Sequence, residues 1–335
     1  MILRQNKAER KFCQQIDLPA LQRVIDTQTI RTVLQQCGKR AQRERKLCKE
    51  AVVWLLIAST LLPHLSLGLV LEKITHGLRL LWPTQDGLLP GENALTYRRY
   101  QLGVKPFQVL FRQICRPLAT PQTPGAYLFG RHLVALDGHQ TYVPDTPDNV
   151  AAFPQVQGVY LSECGTHAIL DATFWPLHTG EHIGAARLLR SVGASDLLMW
   201  DRGLHSFDLL DRALLRGADV LGRIASTLKP QRRQRLPDGT WLFWLAPSDP
   251  NRRQAGEGRL VRLIAYTLDD PSRPGNGEVH RLVTSLLDWQ AYPAMGLACA
   301  YHTRWEIEIA FDEIETHQQA TFPILRSRKP VGVLQ

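Results

Sequence analysis

The sequence predicts a mixed α/β protein that carries an all-α N-terminal domain and a β-rich insertion. Three observations support this. Residues 15 to about 120 show helical periodicity with few strand-like alternations. From His132 to Ile224, short apolar runs alternate with helical stretches. Residues 226 to about 292 are strand-rich and basic, and a helical pattern returns at about Ala294. The boundaries that follow are 1–125 for the helical domain, 126–225 for the first part of the α/β domain, 226–292 for the insertion and 293–335 for the closing helix. A chain of 335 residues has room for two or three bodies, each with its own core.

The opening MILRQNKAERKF lacks the apolar core of a signal peptide. Lys39, Arg40, Arg43, Arg45, Lys46 and Lys49 then form a basic stretch. Residues 51–71, AVVWLLIASTLLPHLSLGLVL, contain no Asp, Glu, Lys or Arg and have to be weighed as a membrane span. Pro63-His64 breaks the run and Ser66 is placed to cap a new helix, so two buried helices meeting at a corner are expected. Pro117, Pro121, Pro124 and Gly125 make a linker.

Beyond the linker, the apolar run from His132 to Leu136 stops at Asp137-Gly138. Gly158 to Glu163 and Ala168 to Trp175 read as two strands joined by a tight turn around Gly165. A helix over about Glu181 to Ser191 leads to a strand at Leu197–Trp200, which stops at Asp201-Arg202-Gly203. Ser206 can cap the next helix, and Ala218 to Ile224 is a fifth strand. Trp241, Phe243 and Trp244 lie in an aromatic strand of the insertion and are expected mainly in its core. Two further strands cover Arg259–Leu268 and Arg281–Leu287. The closing helix is expected to run without a break from about Ala294 to His317.

Charge narrows the class of partner. The chain has 40 Lys+Arg against 31 Asp+Glu, a net of +9. Residues 1–50 hold +7 and residues 223–262 hold +6, which leaves −4 for the remainder. Two basic blocks around a mildly acidic body suggest two grips on a phosphate backbone. The six cysteines (13, 37, 48, 115, 164 and 299) include no C-x-x-C pair, so reduced thiols are expected, not a disulfide framework or a zinc site.

Asp137 and Asp201 share one context, an apolar strand followed by Asp at its exit. Ligands of open α/β sheets bind at the carboxyl ends of strands. Aspartates at such points also form turns with their own backbone. At 100° per residue, Ala300, Ile307, Phe311 and Ile314 make one apolar stripe of the last helix. Tyr301, Arg304, Glu308 and Glu315 make a polar strip beside it. Glu308 could then reach Asp137 and Asp201, although Arg304 and Glu308 at i, i+4 are also an ordinary helix-surface pair.

The strings LVALDGHQTYVPDTPDN, LLMWDRGLHSFDLL and YHTRWEIEIAFDEIETHQ resemble the insertion-sequence-four family of bacterial DDE transposases, those with a Tyr-Arg-Glu-Lys signature. The resemblance covers most of the chain and implies a ribonuclease H-like catalytic domain. Tyr301, Arg304 and Glu308 fall at the signature spacing, and the two family aspartates map onto Asp137 and Asp201. The implied activity is cutting insertion-sequence ends and joining them to target DNA. Asp137, Asp201 and Glu308 would be the catalytic and metal-binding acids for two Mg²⁺ ions, with Mn²⁺ as substitute. Tyr301, Arg304, Arg202, Lys39, Arg40 and Arg43 would bind DNA. The implied partners are terminal inverted repeats and target DNA, handled by a DNA-bound homodimer in the bacterial cytoplasm at the nucleoid, with no membrane.

Two features depart from the family pattern. Glu315 stands where the signature has lysine, and a carboxylate there repels phosphate, so weak cleavage is expected. Only eighteen residues follow His317, which reads as a C-terminal truncation. An inactive remnant that only binds DNA therefore competes with the active transposase. A ribonuclease H-like nuclease or resolvase is the third reading.

Overall fold

The computed structural model describes residues 18–39, 47–62, 65–78, 90–152, 155–176, 180–225, 228, 231–267, 277–305, 308, 311 and 327–335. The chain divides into two compact units. One comprises Met1–Cys115, Thr141–Val156 and Phe311–Gln335; the other comprises Arg116–Gln140 and Gln157–Ala310.

The first unit is helical: α1 (Leu18–Val24), α2 (Thr27–Gln36), α3 (Lys49–Leu61), α4 (Leu67–Leu78), α5 (Glu92–Leu102) and α6 (Lys105–Ile114). Helix α3 is apolar on every side, so only encirclement can shield it. It packs against α2, α4 and α5, and Trp54 is fully buried. The apolar stretch is two short helices, with Ser66 Oγ accepting from the Leu69 amide at 3.4 Å at the start of α4. No helix among the described residues is long and apolar enough to cross a membrane. The same unit holds α7 (Pro147–Ala152) and, at the other end of this set, Pro330–Leu334. Arg99 of α5 donates to Gln335 Oε1 at 2.7 Å and to the Gly332 carbonyl at 2.6 Å, tying that last turn to α5.

The second unit is built on one mixed sheet. Its strands are β1 (Tyr127–Leu128), β2 (Arg131–Tyr142), β3 (Gln155–Glu163), β4 (Ile169–Pro176), β5 (Asp196–Trp200), β6 (Asp219–Arg223), β7 (Gln231–Arg235), β8 (Trp241–Leu245), β9 (Arg259–Thr267) and β10 (Val279–Thr284). Their order is β4-β3-β2-β5-β6-β10-β9-β8-β7, with β1 paired to β2. Strands β2, β5 and β6 are parallel to one another, while β10, β9, β8 and β7 continue antiparallel from β6. Helix α8 (Glu181–Leu188) follows β4, α9 (Phe207–Leu215), capped by Ser206 Oγ on the Leu209 amide, follows β5, and the short α10 (Pro250–Gln254) lies between β8 and β9. The first five strands in the order β4-β3-β2-β5-β6, with these helices, form a ribonuclease H-like sheet.

The insertion prolongs this sheet, because β10 pairs directly with β6. One apolar core accordingly runs through both parts, with Val134, Leu136, Leu198 and Val220 joined to Phe243, Val261 and Val283. Trp200 fits above its cross-strand neighbour Gly222, where any Cβ would overlap the indole. Of the aromatic strand, Phe243 is wholly buried as expected, whereas Trp241 and Trp244 are only half-buried. Two expectations change. Strand β2 does not stop at Asp137 but runs on to Tyr142. The closing helix α11 (Ala294–Thr303) gives way to a turn at Arg304 and Trp305, although Glu308 and Phe311 are again helical; most of the expected helix from 306 to His317 lies outside the described residues.

At the opposite end of β2 and β5 from Asp137, His132 is buried between two carboxylates. Its Nε2 lies 2.7 Å from Glu163 Oε1 and its Nδ1 3.0 Å from Asp196 Oδ1, so both ring nitrogens face acceptors. The other Glu163 oxygen accepts from the Leu118 and Ala119 amides at 3.0 and 2.8 Å. Burial by itself lowers the imidazole pKa, but the hydrogen bonds and charges of Asp196 and Glu163 outweigh it and raise the value. A histidine pKa raised by folding contributes stability that is complete below the unfolded value, about 6.5, and is lost as pH rises through the folded value. Urea unfolding should therefore show the protein losing stability from pH 6 to pH 9. His132→Asn should reduce that loss. Equal slopes for the two proteins would refute a role for this ion cluster.

Candidate active site

Pairing between β2 and β5 is parallel and its last register pair is Leu136↔Trp200. The next residue on each strand is an aspartate, so Asp137 and Asp201 stand side by side on strands about 4.8 Å apart. They lie where the buried apolar pairs give out. Asp137 Oδ1 accepts from the Gly138 amide at 2.9 Å, and Asp201 Oδ1 accepts from the Leu204 amide at 3.0 Å. Asp201 thus also forms the turn that the sequence allowed for.

Arg304 brings the third acid to this pair. Helix α11 ends at Thr303 and the chain turns at Arg304 and Trp305. The Arg304, Trp305 and Glu308 amides donate to the Tyr301, His302 and Trp305 carbonyls, each three residues back. The side chains nevertheless converge. Arg304 Nη1 donates to Asp137 Oδ2 at 3.0 Å, and Nη2 lies 3.6 Å from Glu308 Oε1. The guanidinium also sits 5.8 Å from the centre of the Tyr301 ring. Arg304 and Tyr301 are buried, whereas the Glu308 side chain is 46% exposed.

Charge in the cluster follows from burial. Burial raises the Asp137 pKa, and the nearby Asp201 charge adds to this; Arg304 and the Gly138 amide only partly offset it. For Arg304, burial works against the cation, but Tyr301, Asp137 and Asp201 more than restore it. The Tyr301 hydroxyl is held neutral mainly by burial. Next to the cluster, His205 is stacked on Trp200, and burial lowers its pKa to about 4, so it adds no positive charge.

One residue that the sequence presented only as the start of a helix also faces the cluster. Glu181, in the first turn of α8, accepts from Gln157 Nε2 at 2.9 Å through Oε1. Its pKa is raised by burial first, and then by Asp201 and Asp137. Strand pattern does not reveal this, because the approach depends on the missing side chain at Gly138.

The remaining candidates fall elsewhere. Arg202 is exposed in the turn directly after Asp201. Lys39 lies in the helical unit, where its Nζ donates to the Gln101 carbonyl at 2.8 Å. Arg40, Arg43 and Glu315 lie outside the described residues. Among the described residues no three His, Cys, Asp or Glu groups are arranged to hold a metal ion. The donors of Asp137 and Asp201 are all carboxylate oxygens, which suit Mg²⁺ or Mn²⁺ and not a thiophilic metal. Between Asp137 and Glu308 a cation is already present in the form of the Arg304 guanidinium. In chemical type and in the charge they attract, the residues fit a divalent ion.

Comparison with known proteins gives three findings. The family model described as the N-terminal region of insertion element 4 transposases matches residues 15–112. The transposase InsG for insertion sequence element IS4, from Escherichia coli (strain K12), is 28% identical over 341 residues, covering 95% of this chain and 73% of InsG. The putative transposase InsZ from the same strain is 26% identical over 203 residues, covering 56% of this chain and 64% of InsZ.

Proposed function

Because the chain belongs to the insertion element 4 transposase family, we propose that it cuts DNA at insertion-sequence ends and joins them to target DNA, using Asp137, Asp201 and Glu308. The observation that carries this reading is the register pair Leu136↔Trp200. It sets two aspartates abreast, and Arg304 joins Asp137 to the glutamate of the Tyr-Arg-Glu spacing.

Asp137, Asp201 and Glu308 would hold two Mg²⁺ ions, or Mn²⁺ in their place. When bound, such ions supply charge stabilisation to a phosphodiester under attack and make a water molecule a better nucleophile. The protein's own part is to position and to compensate charge. Arg304 neutralises Asp137 and Glu308 while DNA is absent. Its planar fork suits a phosphate equally well, so an arriving backbone would draw it from the carboxylates. The buried Tyr301 ring limits where that fork can go. Arg202, exposed beside Asp201, can reach a second phosphate. The first displacement leaves a free 3′-hydroxyl, which attacks the target strand in the second.

Lys39, Arg40 and Arg43 in the basic N-terminal block would hold the terminal inverted repeat, one copy of the protein serving each end. Work of this kind belongs in the cytoplasm, at the nucleoid. The test is a cleavage assay with duplexes carrying the repeats that flank the gene. Full-length protein with Mg²⁺ is expected to release 3′-hydroxyl ends at the repeat boundary, and with EDTA to release none. Binding without any cleavage in Mg²⁺ or Mn²⁺ would replace this reading with that of a DNA-binding remnant.

A further inference from the structure

We propose that Glu181 is a fourth carboxylate of this site, a positioning residue that helps retain the divalent cation held by Asp137 and Asp201. The proposal rests on the three-carboxylate reading above and extends it to a residue outside the Tyr-Arg-Glu spacing.

Glu181 opens α8, and an acidic residue in the first turn of a helix is commonly there to offset the helix dipole. That role asks only for a side chain turned towards water. Glu181 instead folds over the backbone of β2 at Gly138, the residue after Asp137. A Cβ at position 138 would overlap Glu181 Oε1 and would lie 2.8 Å from Cδ. The carboxylate is held there by Gln157 Nε2 at 2.9 Å, and Gln157 is itself buried on β3. Two elements and a missing side chain therefore fix where this charge sits.

The place is electrostatically unfavourable for an anion on its own. Asp137 and Asp201 are near enough to raise the proton affinity of Glu181, and the cation they share is Arg304. Asp137, Asp201 and Glu181 act on one another, and the one guanidinium beside Asp137 leaves an excess of negative charge among them. A structural role gives no reason to hold Glu181 in that field, whereas a divalent ion would make each of those carboxylates favourable.

The test measures Mn²⁺ binding to the full-length protein by the electron paramagnetic resonance of the free ion, alongside thermal unfolding. Glu181→Gln keeps an oxygen for Gln157 and removes the charge. Gly138→Ala keeps the charge and pushes it aside. Each is expected to weaken Mn²⁺ binding by about tenfold, the scale of loss seen when groups supporting a metal site are removed. Each should also raise the Mg²⁺ concentration needed for half-maximal cleavage, with the unfolding temperature unmoved. Asp201→Asn serves as the reference and is expected to lose Mn²⁺ binding altogether. If Asp201→Asn loses the ion while Glu181→Gln binds it like the unaltered protein, or only unfolds at lower temperature, Glu181 merely caps α8 and the proposal is overturned alone. If the unaltered protein binds no Mn²⁺, or Asp201→Asn binds it undiminished, the three-carboxylate reading fails and takes this proposal with it.

Discussion

Asp201→Asn should lower cleavage of a transposon-end duplex by on the order of 10²–10³-fold, the loss that follows removal of one group stabilising charge in a transition state. The same is expected of Asp137→Asn. Both substitutions are nearly isosteric, and the amide oxygen can still accept from the Leu204 or Gly138 amide. Neutralising Asp201 also removes a like charge from beside the buried Asp137. The unfolding temperature should therefore stay level or rise slightly while activity disappears, since groups that serve chemistry are often held against the interests of stability. Gel-shift binding of the same duplex should remain within a fewfold. A variant that cuts at more than about a tenth of the normal rate would remove Asp201 from the chemistry, given the expected range.

The second large effect is on folding. Arg262 of β9 is wholly buried, and each of its three side-chain nitrogens makes a hydrogen bond within the fold. Nε donates to Thr240 Oγ1 at 2.9 Å and Nη1 to the Tyr292 carbonyl at 2.6 Å, while Nη2 pairs with Asp238. Asp238 in turn accepts from the Thr240 amide and hydroxyl at 3.1 and 2.6 Å. Burial opposes ionisation of Asp238, but these bonds and the guanidinium outweigh it and leave its pKa lowered. Arg262→Ala empties a large buried site and leaves the Thr240 hydroxyl and the Tyr292 carbonyl without their partner, a change expected to cost about 2–5 kcal/mol. Arg262→Met fills the volume and should recover part of the loss, most fully when combined with Asp238→Asn. Denaturant unfolding that moves by less than about 1 kcal/mol in Arg262→Ala would mean that the bonds to this arginine are dispensable.

Most of the sheet was legible in the sequence because its strands are short apolar runs ended by turn formers. Leu197–Trp200 and Ser206 before α9 gave both position and cap. Asp137 and Asp201 were visible as acids ending such runs, and Tyr301, Arg304 and Glu308 by their spacing. What periodicity could not supply was anything set by partners distant in the chain. The pattern around Asp137 reads as a strand end, yet β2 continues to Tyr142. A uniform 100° wheel puts Arg304 and Glu308 on one strip, yet the chain turns at Arg304 and Trp305. The insertion reads as a separate β-rich segment, because nothing local says that Val279–Thr284 will pair with Asp219–Arg223. Glu181 was missed for the same reason, since its approach depends on the absence of a side chain at Gly138.

The continuity of that sheet has a consequence for how the protein comes off the ribosome. In a self-contained five-stranded sheet β6 would be a finished edge; here it waits for β10, the last strand of the insertion to be translated. Domains fold as their residues emerge, N-terminal parts first. The nascent chain therefore presents β6 as an open sheet edge until β10 arrives, and Arg304 and Glu308 follow it. The acidic cluster is completed late in synthesis, by residues that follow the strand covering β6. An insertion of this kind acts as a timing device as well as an architectural one.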